Sequence, residues 1–197
     1  NELINKKKDI LNKTGKKINI VAISAKNKNK KRSFKINKKI FYSNPLEIIK
    51  KKKIHILFEA IGLSDGISKK VVEKALSKGI HVITPNKALI SKHGDYLSKL
   101  AEENKVNLEF EASVGGGIPI LRTIKEGLAT NKISKVYGIL NGTSNYILSE
   151  MESTKHSFND VLKKAQSLGY AEPGNPKLDL NGYDALAKVK ILSSLSF

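Results

Sequence analysis

The chain has 197 residues, no cysteine and a formal net charge of +18 from 36 Lys/Arg against 18 Asp/Glu. Without cysteine there are neither disulfides nor thiolate metal sites, and no apolar run approaches the roughly 20 residues of a membrane-spanning helix. A lysine-rich start with no apolar segment behind it is not a secretory signal, so a cytoplasmic protein with no membrane partner is expected.

In chain order, residues 1–13 set Leu3, Ile4, Ile10 and Leu11 among lysines and read as a helix stopped by Gly15. The β-branched run 18–23 reads as a short buried strand. Pro45 opens a short helix, and residues 54–61 read as a second buried strand ended by Gly62. A helix over 68–78 closes at Gly79, and 80–84 is the third strand. Pro85, Asn86 and Lys87 form a loop at its carboxyl end, a helix follows over 91–104, and 106–111 is the fourth strand. Strands alternating with helices predict a parallel, doubly wound α/β sheet, whose ligands sit at the carboxyl ends of the strands. Gly62, Lys87 and Glu111 fall there.

The character changes over 112–119, where Gly115, Gly116 and Gly117 are consecutive. No Gly-Lys-Ser/Thr follows, which excludes a phosphate loop. Two readings remain: a flexible turn before a helix over 120–128, or close approach of the backbone to a ligand or ion through its carbonyls. Residues 135–140 read as a strand, 141–145 as a turn or helix cap, and 145–151 and 158–168 as helices. These features divide the chain into a nucleotide-type part, 1–111, and a second domain, 112–197. The fingerprint G-x-G-x-x-G is absent, and the chain reads as a piece cut at both ends. Where an acid would hold the ribose of NAD, residues 24–28 offer two lysines and no carboxylate. That favours NADP over NAD, unless the lysines reflect composition bias alone. Near the C-terminus a Pro/Gly-broken loop carries Glu172 and leads through Asp179 into a helix with Asp184 and Lys188 four residues apart. By spacing alone, the last two read as an ordinary surface ion pair, the competing reading being carboxylates and a lysine set on a rigid helix for proton transfer with a small polar substrate.

Several segments in register resemble one family, the homoserine dehydrogenases: HVITPNKALI (81–90), FEASVGGGIPILR (110–122), GILNGTSNYIL (138–148), AQSLGYAE (165–172) and DLNGYDALAKVKIL (179–192). The resemblance implies an incomplete Rossmann-type nucleotide-binding domain followed by an α+β catalytic and dimerisation domain. It implies interconversion of L-homoserine and L-aspartate 4-semialdehyde with NAD(P)(H), on the route to threonine, methionine and isoleucine. On that resemblance Lys188 is the catalytic lysine and Asp184 orients it. Glu172 and Asp179 bind substrate, Lys87 lies between nicotinamide and substrate, and Gly62 and Gly169 approach the cofactor. Glu111, Val114, Gly116 and Ile118 match the family's site for a monovalent cation such as sodium, where oxygen ligands suit a hard ion. A homodimer or homotetramer is implied as well. One departure stands out: the family's Glu-x-Asp-Pro loop is here Glu172-Pro173-Gly174-Asn175-Pro176, one residue longer and without the Asp.

Two other classes compete. Residues 1–53 hold 18 Lys/Arg against three acids, as a module for nucleic acid or another anionic surface would. Yet the only arginines are Arg32 and Arg122, whereas nucleic-acid binders rely on arginine for base edges and phosphate forks. The other class is a family-like scaffold that assembles but no longer catalyses.

Overall fold

The computed structural model describes residues 2–30, 32, 37–173 and 177–197. Its N-terminal helix is broken in two, α1 (Glu2–Asn5) and α2 (Lys7–Thr14), and neither buries a residue. Gly15 ends α2 as expected, at a left-handed φ of 67° with its N–H donating to the Leu11 carbonyl. The strand expected over 18–23 does not form. Only β1 (Ile23–Ser24) pairs, parallel to β2 (Phe41–Tyr42), while Ile18, Ile20 and Val21 are each more than a third exposed. β-Branched residues favour strands by packing against neighbours, and no strand among the described residues lies beside 18–22 to supply them.

The helix α3 (Pro45–Lys51) begins behind Asn44, whose side chain accepts the Leu46 N–H, and buries Ile48 and Ile49. Beyond it β3 (Ile56–Phe58), β4 (His81–Ile83) and β5 (Leu108–Glu109) form a parallel sheet in that order. Leu57 lies opposite Val82, and Val82 opposite Leu108. The helices α4 (Ile67–Leu76) and α5 (Lys87–Glu103) make the crossovers. Right-handed crossovers along a sheet growing in one direction put both helices on one face. β1 and β2 stand apart from it as a separate two-stranded parallel sheet. The expected burial of 54–61 is corrected too. Side chains alternate between the two faces of a strand, so Leu57 turns toward the face covered by the helices while Ile56 and Phe58, on the other, are more than half exposed.

Both crossover helices show the pattern that seats them. In α4 the buried residues are Ser68, Val71, Val72, Ala75 and Leu76, and in α5 they are Leu89, Ile90, Leu97 and Ala101, each an apolar stripe of helical period. The helix α5 starts at Lys87, four residues before the expected start, because Asn86 is its N-cap: its side-chain oxygen accepts the Leu89 N–H at 3.1 Å. Pro85 and Asn86 therefore form the expected connection after β4, with Asn86 as the cap, while Lys87 is already the first helical residue.

Past β5 the described residues form no further strand. A 3-10 turn at Glu111–Ser113 leads through the glycines to α6 (Ile120–Arg122), which widens into a π-type turn at Thr123–Gly127. Residues 135–140, expected as a strand, have no hydrogen-bonded neighbour strand among the described residues, and Tyr137 and Ile139 stand out at 85% and 76% exposed. Helices α7 (Gly142–Thr154) and α8 (Phe158–Ser167) share a small core of Ile147, Val161, Ala165 and Ala171. A short α9 (Lys177–Leu180) precedes α10 (Tyr183–Ser196). The contact that decides the site is α10 on α5: Ile191 and Leu192 join Leu89, Ile90 and Leu97 in the main core. That burial fixes the start of α10 against the start of α5.

Candidate active site

Lys87, the first residue of α5, meets Asp184, in the first turn of α10: the Lys87 ammonium donates to Asp184 Oδ1. Lys188, one turn further along α10, reaches back to Asp184 Oδ2 at 2.7 Å and donates to the Leu140 carbonyl at 2.6 Å. One carboxylate thus carries two ammonium groups from distant parts of the chain. Asp184 is 8% exposed and the Lys188 side chain 18%, whereas the Lys87 side chain is 41% exposed. Burial pushes the Asp184 carboxyl up, but hydrogen bonds from Lys188, Lys87 and Asn141 outweigh it and hold the group at about 2.

Asn141 closes the cluster. Its amide donates to Asp184 Oδ2 at 3.1 Å and to Asp179 Oδ1 at 2.9 Å, while its oxygen caps α7 by accepting the Ser144 N–H at 2.8 Å. Thr143 donates to the Tyr170 carbonyl at 2.5 Å and lies 3.3 Å from Asp179 Oδ2. Asn141 satisfies three partners with the donors and acceptor an amide has. Sequence reading placed it only in a turn or cap. Its position as N-cap was legible, but its hold on both aspartates was not.

Among the expected residues, the fold brings Lys87, Asp179, Asp184 and Lys188 together. Glu172 and Gly169 are exposed and make no hydrogen bond to that cluster among the described residues. The Glu172 backbone carbonyl accepts from Gln166 at 3.1 Å. Gly174, Asn175 and Pro176, which carry the loop departure, lie outside the described residues. Gly62 sits past β3 at φ 89°, with nothing within 4 Å of where a Cβ would stand. Its loop is tied to α5 by Asp65, which meets Lys92 at 2.7 Å and His93 at 2.9 Å. A left-handed turn with open space at the carboxyl edge of a parallel sheet fits a nucleotide cofactor.

At the glycine loop the Glu111 carboxylate accepts the N–H groups of Leu121 at 3.1 Å and Arg122 at 2.8 Å, so it caps α6. The loop is tightened by Ile118 N–H donating to the Gly115 carbonyl at 2.7 Å, with Gly115 and Gly117 at left-handed φ of 59° and 92°. Val114 is buried and Ile118 exposed. No donor among the described residues reaches the Val114 or Gly116 carbonyl, so these two oxygens and the turn-holding acid fit a hard monovalent cation. No cluster of His, Cys, Asp and Glu among the described residues has the makings of a metal site, and no helix among them is long and apolar enough to cross a membrane.

This arrangement has recognisable relatives. Residues 3–111 match the homoserine dehydrogenase NAD-binding domain family, and residues 119–197 match the homoserine dehydrogenase family. Homoserine dehydrogenase of Neisseria gonorrhoeae is 46% identical over 157 residues, 80% of this chain and 36% of that protein. The Bacillus subtilis enzyme is 38% identical over 188 residues, 95% of this chain and 43% of that one. Among solved structures, a homoserine dehydrogenase from Thiobacillus denitrificans superposes with a TM-score of 0.85 at 37% identity, covering 99% of this chain and 44% of that one. A hyperthermophilic archaeal homoserine dehydrogenase in complex with NADPH superposes at 0.73 with 28% identity, covering 98% and 55%. The chain spans less than half the length of these curated relatives. An NAD-binding-domain match over more than half the chain, continued by the second match, places it in the homoserine dehydrogenase family.

Proposed function

We propose that the protein carrying this chain interconverts L-homoserine and L-aspartate 4-semialdehyde with NADP(H), NAD(H) being the alternative, in the synthesis of threonine, methionine and isoleucine. The observation that supports this best is the buried Asp184 held between Lys87 and Lys188. When bound, the nicotinamide supplies or accepts the hydride. In the reducing direction the aldehyde carbon gains that hydride and its oxygen gains a proton. Lys188 donates that proton, a reading supported by its hydrogen bonds to Asp184 and the Leu140 carbonyl. In the oxidising direction it takes the hydroxyl proton, directly or through a water. Lys87, half-exposed at the start of α5, would lie between nicotinamide and substrate, and Gly62 and Gly169 would give the cofactor room.

Asp179 binds the substrate's polar end, and Glu172, exposed at the neighbouring loop, approaches its amino group. Glu111, Val114, Gly116 and Ile118 hold a monovalent cation such as sodium that stiffens the loop entering α6. We assign residues 1–111 to the nucleotide domain and 112–197 to the catalytic and dimerisation domain of a cytoplasmic homodimer or homotetramer. The test is absorbance at the reduced-nicotinamide band with the full-length protein, L-homoserine, and NADP or NAD, using L-serine and L-threonine as controls. Homoserine-dependent reduction is expected. A folded, cofactor-binding protein that stays silent would favour the non-catalytic scaffold.

A further inference from the structure

Glu59, just past β3, is 2% exposed, and no cation is among its hydrogen-bond partners in the described residues. Its Oε1 accepts from the Ile61 N–H at 2.6 Å and the Ser68 hydroxyl at 2.8 Å. Its Oε2 accepts from the Thr84 hydroxyl at 2.6 Å and takes a longer approach of 3.4 Å from the Asn86 amide. Both hydroxyls accept in turn from Asn86: Thr84 from its backbone N–H at 3.0 Å, Ser68 from its side-chain amide at 3.0 Å. With those lone pairs engaged, the hydroxyl hydrogens point at Glu59, and Glu59 is an acceptor toward all its neighbours. A buried charge is costly unless such donors surround it, and a core needing only packing would be served by an apolar residue. What the four donors share is their place. Ile61 begins the Gly62 turn, Ser68 lies in the first turn of α4, Thr84 directly follows β4, and Asn86 caps α5 beside Lys87. The same Asn86 amide also donates to the Leu63 carbonyl at 2.9 Å.

We propose that Glu59 is a positioning residue: a buried acceptor hub that sets the start of α5, and through it holds the Lys87 ammonium on Asp184 while pinning the Gly62 turn. The action runs through Asn86 and Thr84. Glu59 itself touches neither substrate nor cofactor. Its catalytic consequence rests on the function proposed above, but the geometry does not.

The test uses the full-length protein and follows the Asp184 carboxyl carbon by NMR through an acid titration. The variants are Glu59→Gln, Lys87→Met and the two combined. The Gln amide keeps the shape but turns two hydrogens toward groups that are already donors. Losing the Lys87 contact raises the Asp184 titration by about one pH unit. Glu59→Gln is expected to raise it in the same direction, and to add nothing in the Lys87→Met background. Thr84→Val, which removes one donor to the hub and leaves the packing, is expected to act likewise with smaller effect if Glu59→Gln does not fold. No change in the otherwise native background, or an equal change in both backgrounds, overturns the proposal.

Turnover provides an independent arm. Where homoserine is oxidised, Glu59→Gln should lower kcat about tenfold, and this loss should vanish once Lys87 is Met. Equal losses in both backgrounds refute positioning through Lys87 and leave the enzyme intact as a reading. Absence of any wild-type turnover refutes the enzyme, while the carboxyl titration still decides the role of Glu59.

Discussion

Asp184→Asn is the substitution with the sharpest expected consequence. The side chain keeps its volume, loses its charge and sets an amide donor against the ammonium groups of Lys87 and Lys188. In the native protein the Asp184 carboxyl is depressed from an ordinary 3.8 to about 2, the hydrogen bonds from Lys188, Lys87 and Asn141 outweighing burial. A depression of that size corresponds to about 2 kcal/mol of stability at neutral pH. Because the folded value lies below the unfolded one, the contribution is complete above about pH 4–5 and disappears as pH falls through about 2. Stranding the mostly buried Lys188 adds to the loss, whereas Lys87 is exposed enough to turn into water. A total of about 2–3 kcal/mol follows, which for a protein of this size lowers Tm by about 5–10 °C.

Urea melts of native and variant protein at pH 7, 5, 3 and 2.5 read this directly. The stability gap should be constant from pH 7 to 5 and narrow toward pH 2.5. A gap of the same size at every pH, or none at pH 7, would refute the claim that the lysines stabilise an ionised Asp184. Turnover in the same variant should fall by about a hundredfold, since Lys188 loses its orienting partner.

Lys188→Met removes the proposed proton donor but leaves Asp184 bonded to Lys87 and Asn141. The expected result is a kcat about 10²–10⁴ lower, with Tm within a few degrees of native; unchanged turnover would sink the catalytic assignment. Glu111→Ala strips the acceptor from the N–H groups of Leu121 and Arg122, a capping loss of about 1 kcal/mol that differential scanning calorimetry should show as about 2–4 °C. Replacing sodium by tetramethylammonium should lower Tm or turnover in the native protein but not in Glu111→Ala. Indifference of the native protein to that exchange would count against a cation at 111–118.

Much of the first half was readable from one dimension. Gly15 and Gly79 stop helices because glycine reaches left-handed φ at little cost, and the spacing of Val71, Val72, Ala75 and Leu76 buries one face of α4 whatever packs upon it. The start of α5 was misplaced because Pro85-Asn86 has the composition of a loop. Asn86 is a cap because its side-chain oxygen accepts the Leu89 N–H, and its amide ties that cap back to Leu63 and Ser68 earlier in the chain. The strands expected at 18–23 and 135–140 failed for a different reason. A β-branched run states a preference for a pleated, half-buried surface, but a ladder needs a neighbour, and none of the described residues provides one there.

The sequence by itself therefore determined the alternation of helix and strand, the glycine stops and, through segments in register, the family. Residue types and local spacing govern those, and both are written along the chain. It also placed Asp184 and Lys188 on one helical face, because four residues make about one turn. Tertiary structure alone decided that Lys87, nearly a hundred residues earlier, completes the group, that Asn141 joins Asp184 to Asp179, and that Glu59 gathers the turns behind Lys87. The meeting of Lys87 with Asp184 depends on Ile191 and Leu192 sharing one core with Leu89, Ile90 and Leu97. Apolar burial has no direction of its own, so which polar ends it brings together is settled only when the whole core closes.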